Sequence, residues 1–109
     1  MNILGTEYEV INDDTGKNPK LKNANGYCEM YSKKIVIDCS EDYLNDPENY
    51  DKFEEFQAKT LRHEVIHAFL HESGLDANSV WARNEELVDW IALQLPKIVK
   101  TLRDNGIEI

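Results

Sequence analysis

At 109 residues, 41% hydrophobic and 30% charged, the chain has room for one small core and reads as globular rather than disordered. Its 21 acidic against 12 basic residues, a net charge of −9, argue against nucleic acid as a partner, because phosphate contacts need clustered Lys and Arg. The start Met1-Asn2-Ile3-Leu4-Gly5 has no basic segment or long apolar run, and no stretch approaches the roughly 18 apolar residues of a membrane span, so the expected compartment is the cytoplasm.

In chain order, Ile3 to Ile11 reads as one strand, with Thr6, Tyr8 and Val10 alternating against Glu7 and Glu9. Asn12 to Gly26 is polar and turn-rich, a loop without evident chemistry. Tyr27–Tyr31, Ser32-Lys33-Lys34 and Ile35–Asp38 read as strand, turn and strand. A hairpin centred on Lys33-Lys34 would set Cys28 opposite Cys39, although two cysteines in the cytosol are expected as free thiols. Between Glu41 and Glu55 the chain is acidic. Asp46-Pro47 suggests a capped helical turn, and Asp51-Lys52-Phe53-Glu54 a capping box that opens a longer helix. That helix should end at Gly74 and turn an apolar stripe of Val65, Ile66, Phe69 and Leu70 inward. Ser79 is placed to cap a second helix from Val80-Trp81, with Val88, Ile91, Leu95, Ile98 and Leu102 on its packing face. Pro96 should kink or divide it, and Gly106 should end it before an extended Ile107-Glu108-Ile109 tail. With no repeat or linker, residues 1–109 are expected to form one domain.

The first long helix carries His63-Glu64-Val65-Ile66-His67, an H-E-x-x-H motif. Residues four apart share a helix face, about 5–6 Å apart at Cβ, so both imidazoles can aim at one cation. Glu64, roughly 100° further round, cannot bind that cation but can reach a water on it, which is the position of a general base. A catalytic zinc takes three protein ligands. His71 lies about 12 Å along the axis from His63 and cannot be the third, although it can stand at the rim or act on an oxyanion. On the second helix, Glu85 falls roughly 95° from the centre of the apolar stripe and Glu86 roughly 165°, which selects Glu85 as ligand. Asp89, one turn beyond, can accept a hydrogen bond from the far nitrogen of a ligating histidine.

His63-Glu64-x-x-His67 followed by Glu85-x-x-x-Asp89 resembles the pattern of gluzincin metallopeptidases, and the small size is similar to minigluzincins and to ImmA/IrrE-type and prophage-encoded proteins. The resemblance implies one Zn²⁺ on His63, His67 and Glu85, Glu64 as base, and Asp89 supporting His63. The implied fold is α+β and zincin-like: a small, mostly antiparallel sheet packed on the H-E-x-x-H helix and on a glutamate-bearing helix. A peptide or protein substrate would lie along the strand Ile35-Val36-Ile37, or along its neighbour, by strand addition. Larger gluzincins add a downstream Tyr or His for the oxyanion, and this chain has neither after His71. Losing such a donor costs roughly 10²–10³ in rate, which leaves a weakly active or inactive zinc-binding regulatory module as the alternative. By the same resemblance, the tail could sit in the cleft as a pseudo-substrate. The sequence leaves the oligomeric state open.

Overall fold

The run Ile35-Val36-Ile37 is buried on both faces, with exposures of 0, 2 and 4%. A strand without a wet side belongs at the centre of a sheet. A computed structural model of all 109 residues places it there. Strands β1 (Asn2–Ile3), β2 (Thr6–Glu7), β3 (Glu9–Asp13), β4 (Gly26–Glu29) and β5 (Lys34–Asp38) form a two-stranded ribbon β1-β2 and a three-stranded sheet ordered β3-β5-β4. Helices α1 (Glu41–Leu44), α2 (Phe53–Glu72), α3 (Leu75–Asn78) and α4 (Glu85–Asp104) follow, making the fold α+β. No helix is long and apolar enough to cross a membrane.

The sheet is mixed rather than mostly antiparallel: β4 runs antiparallel to β5, and β3 runs parallel to it with Val10 opposite Ile35. The expected single strand from Ile3 to Ile11 is broken. Leu4 and Gly5 both have positive φ and turn the chain back into the ribbon, and the N–H of Gly5 is held by the Asn2 side chain at 2.9 Å. The β4–β5 turn is centred two residues earlier than Lys33-Lys34, so Cys28 faces Ile35 and not Cys39, and both thiols are free.

The starts of the helices also differ from expectation. Ser40, not Asp46, caps the short α1, its Oγ accepting from the N–H of Tyr43 at 3.3 Å. Asp46-Pro47 instead forms a turn in which Asp46 accepts from the N–H of Glu48. Helix α2 has no side-chain cap. An aromatic cluster braces its first turns, Tyr43 edge-on to Phe53 at 5.1 Å and Tyr50 against Phe56 at 4.9 Å. Asn84, not Ser79, caps α4, accepting from the N–H of Leu87 at 2.8 Å; Val80–Arg83 is a separate 3-10 turn. Gly74 and Gly106, both at positive φ, end α2 and α4 as their sequence positions predict.

The core joins Ile3, Tyr8, Ile35 and Ile37 to Ala68 of α2, with Leu61 and Val65 packed against it. The fully buried positions of α2 are Thr60, Glu64 and Ala68, while Phe69 is exposed, so the inward face is more polar than the expected stripe. On α4, Val88 and Ala92 are buried, whereas Leu95 and Ile98 remain over 40% exposed beyond the packed half.

Pro96 does not divide α4. A proline has no N–H for the carbonyl four residues earlier, here the buried Ala92. Arg62 of α2 supplies the missing donor, its Nε 2.8 Å from the Ala92 oxygen, and the helix continues to Asp104. At its C-terminal end α2 is held by Glu72, whose carboxylate accepts from Tyr8 at 2.8 Å, Thr6 at 3.2 Å and Lys33 at 2.6 Å. These bonds, that of Lys33 foremost, lower the Glu72 pKa to about 2.

Candidate metal centre

Helix α2 runs antiparallel to α4, so the middle of one meets the first turn of the other. Steps of four along α2 place Lys59, His63 and His67 on one side, and steps of four along α4 place Glu85 and Asp89 facing them. Nε2 of His63 lies 2.8 Å from Oε2 of Glu85, Nε2 of His67 lies 3.0 Å from Oε1, and the two imidazole nitrogens are 3.1 Å apart. The donor atoms of His63, His67 and Glu85 therefore form one tight cluster that can hold a metal ion.

The chemistry of the donors fits a cation. Nδ1 of His63 lies 3.1 Å from Oδ1 of Asp89, which favours the proton on Nδ1 and leaves Nε2 with its lone pair inward. Two imidazole nitrogens and a carboxylate converge on one point, an arrangement that a shared positive charge, a proton or a metal cation, satisfies. Tetrahedral zinc with bonds of about 2.05 Å requires ligand atoms about 3.3 Å apart, a few tenths of an ångström wider than these separations.

Lys59 completes the outer support, with Nζ 2.9 Å from the Asp89 carboxylate. That bond, joined by the His63 contact and opposed by partial burial, holds the Asp89 carboxyl below its usual range. Burial alone would raise the Glu85 carboxyl, but the imidazoles of His67 and His63 outweigh it and bring it down. Glu64 behaves in the opposite way. It is 7% exposed, and burial, with Glu85 adding to it and His63 opposing, raises its pKa to about 7. It lines two adjoining hollows, one of about 340 Å³ with His67, Glu85 and β4, the other of about 220 Å³ with His63, Glu85 and Asp89.

The other sequence candidates lie elsewhere. His71 turns away, its Nδ1 3.0 Å from Asp76 on α3, and does not line either hollow. Ile35, Val36 and Ile37 are not available for strand addition, because β3 and β4 occupy both edges of β5. The free edge beside the cluster is β4, whose Gly26, Tyr27 and Cys28 line the larger hollow. The Cys28 thiol, pushed up to about 12 by burial, is no thiolate ligand. The tail is exposed at the far end of α4, about 30 Å of helix from Glu85, so it does not fill the cleft.

Sequence reasoning missed Lys59, Gly26 and Arg62. Lys59 was detectable, four residues before His63 on the same helix face. Gly26 was not: a Cβ there would come within 2.9 Å of both the Ile37 Cδ1 and the Val36 carbonyl oxygen, a constraint set by tertiary packing alone. Comparison with protein-family models, curated proteins and solved structures finds no match to this chain.

Proposed function

We propose that the chain is a zinc-dependent peptidase of the zincin type, hydrolysing peptide bonds with Glu64 as general base. The observation that carries this reading is the convergence of His63, His67 and Glu85 beside a buried Glu64. Zinc bound there would supply Lewis acidity toward a substrate carbonyl and a water with a pKa near 7. His63 and His67 would hold the ion as neutral imidazoles, and Glu85 would add the one negative charge. Asp89 fixes the ring of His63, and Lys59 fixes Asp89. Glu64 is placed to take a proton from the attacking water and to deliver it to the departing amine nitrogen. Burial raises the affinity of Glu64 for that proton relative to an exposed carboxylate, which favours its uptake from the water. The β4 edge would align an extended peptide by backbone hydrogen bonds, with Gly26 keeping the strand close to α2.

The test is hydrolysis of a denatured protein by tag-free protein with one equivalent of zinc, beside Glu64→Gln. Loss of about 10²–10⁴ in rate with zinc content retained supports the base role. Equal rates in both proteins would remove it.

One observation favours a second reading, a zinc-binding regulatory or partner-binding module with little hydrolysis. Tyr27 offers the only phenol on the two hollows, and its oxygen is 3.0 Å from the Asn18 amide. The Asn18 amide donates to that oxygen from outside both hollows and so draws the phenol away from the cluster, and neither hollow holds a further Tyr or a His besides His63 and His67. Zinc binding without turnover in the same assay would establish this module.

A further inference from the structure

A further concavity, of about 490 Å³, runs between the N-terminal half of α2 and the middle of α4. Phe56, Leu93 and Pro96 give it an apolar surface, and Lys52, Lys59, Arg62 and Lys97 line it against a single acid, Glu55. In a chain of 21 acids and 12 bases, four cations around one apolar groove run against the overall charge.

Three of the four are also weakly neutralised, Lys59 alone being closely paired, at 2.9 Å with Asp89. Lys97 has no acidic partner, and the nearest acid to Lys52 is Glu55 at 3.9 Å, both side chains being more than 75% exposed. Arg62 engages Ala92 through Nε alone, with no acceptor on its terminal nitrogens. Lys59 sits over the Phe56 ring at 5.2 Å and joins this groove to the metal centre through Asp89. The surface is continuous: Leu93 borders both this groove and the hollow formed by His63, Glu85, Glu86, Asp89 and Trp90, whose three acids leave the positive charge concentrated at the groove itself.

We propose that this groove is an exosite that docks an acidic segment of the substrate carrying an apolar anchor. The proposal rests on the peptidase reading and adds a substrate class to it. Lys52 stands 11 residues before His63, about 16 Å along α2, a distance that an extended peptide covers in about five residues at 3.3 Å each. Acidic side chains about that far from the scissile bond would lie among the lysines while the anchor rests on Phe56 and Leu93. Attraction of this kind acts through exposed charges and weakens as salt rises.

The test measures docking and cleavage separately. Fluorescein-labelled twelve-residue peptides of Leu and Glu, and of Leu and Lys in the same order, are titrated by anisotropy against the Glu64→Gln chain with zinc. The acidic peptide should bind at least about tenfold more tightly, and Lys52→Glu/Lys97→Glu should remove about that factor at low salt. Lys17→Glu/Lys22→Glu changes the net charge equally away from the groove and should leave binding within about twofold. Equal weakening by the two double variants would reduce the effect to overall charge and overturn the exosite. Self-association of the parent chain that Lys52→Glu/Lys97→Glu abolishes would make a second copy the occupant, and would also overturn it. Circular dichroism confirms that each variant is folded. If the wild-type chain cleaves denatured protein but the acidic peptide shows no preference, the exosite alone fails. If docking follows the lysines but nothing is cleaved, the peptidase reading fails and the groove stands as a docking site.

Discussion

The clearest consequence of the metal reading is thermodynamic. Only 13 of the 109 residues are buried, and α4 is tied to α2 chiefly by Val88, Ala92 and a row of polar contacts at the cluster, so a cation joining both helices should raise stability measurably. A ligand that binds the folded chain alone adds about 2.7 kcal/mol at 100 times its Kd. For a domain of this size that corresponds to a rise in Tm of about 10–20 °C. Asp89→Asn leaves the ligands in place but weakens the support of His63. A tenfold loss of affinity, about 1.4 kcal/mol, should halve the rise at the same zinc concentration. Glu85→Ala removes one of the three proposed ligands and should abolish most of it, whereas Glu86→Ala should leave it intact. The assay is a thermal melt followed by circular dichroism, with zinc and with a chelator, for the four chains. A rise in Glu85→Ala equal to that of the parent, or none in the parent, would refute the shared cation.

Two further outcomes follow from the scaffold. Gly26→Ala forces a methyl against the Ile37 side chain and the Val36 carbonyl, and should cost about 1–3 kcal/mol, read as a lower urea midpoint; an unchanged midpoint would mean that β4 can move away freely. The Glu72 tie depends on pH. Its folded pKa, about 2, lies below the usual 4.5, so its stabilisation is full above about pH 4.5 and is lost as pH falls toward 2. Urea midpoints of the parent and of Glu72→Gln should therefore differ at pH 6 and converge near pH 2; a constant gap would contradict the tie.

What the sequence disclosed was set by local geometry. His63 and His67 sit four apart, Glu85 and not Glu86 lies at the margin of the stripe, and Gly74 and Gly106 stop their helices. Each of these follows from helical period or backbone freedom within a few residues. The pairing of β3 with β5 spans some 25 positions, and no local pattern distinguishes it from an antiparallel alternative. The same holds for Glu72, whose partners Thr6, Tyr8 and Lys33 lie far away in the chain. The apolar stripe of α2 misled for a more particular reason. Its buried face is also its chemical face, so Thr60 and Glu64 occupy positions where hydrophobicity would ordinarily mark the inside. Ile35–Ile37 cannot take an added strand because the burial on both faces that made them conspicuous comes from their place at the centre of the sheet.

The loan of a donor from Arg62 to the carbonyl that Pro96 leaves unmatched joins two positions of descent as well as two helices. A lineage that first lost the arginine would strand a buried oxygen, whereas one that first replaced the proline would regain an internal helix bond and free the arginine to drift. Evolution between these states should accordingly run in one order, and among descendants of this chain an altered residue 62 should be found beside a non-proline at 96.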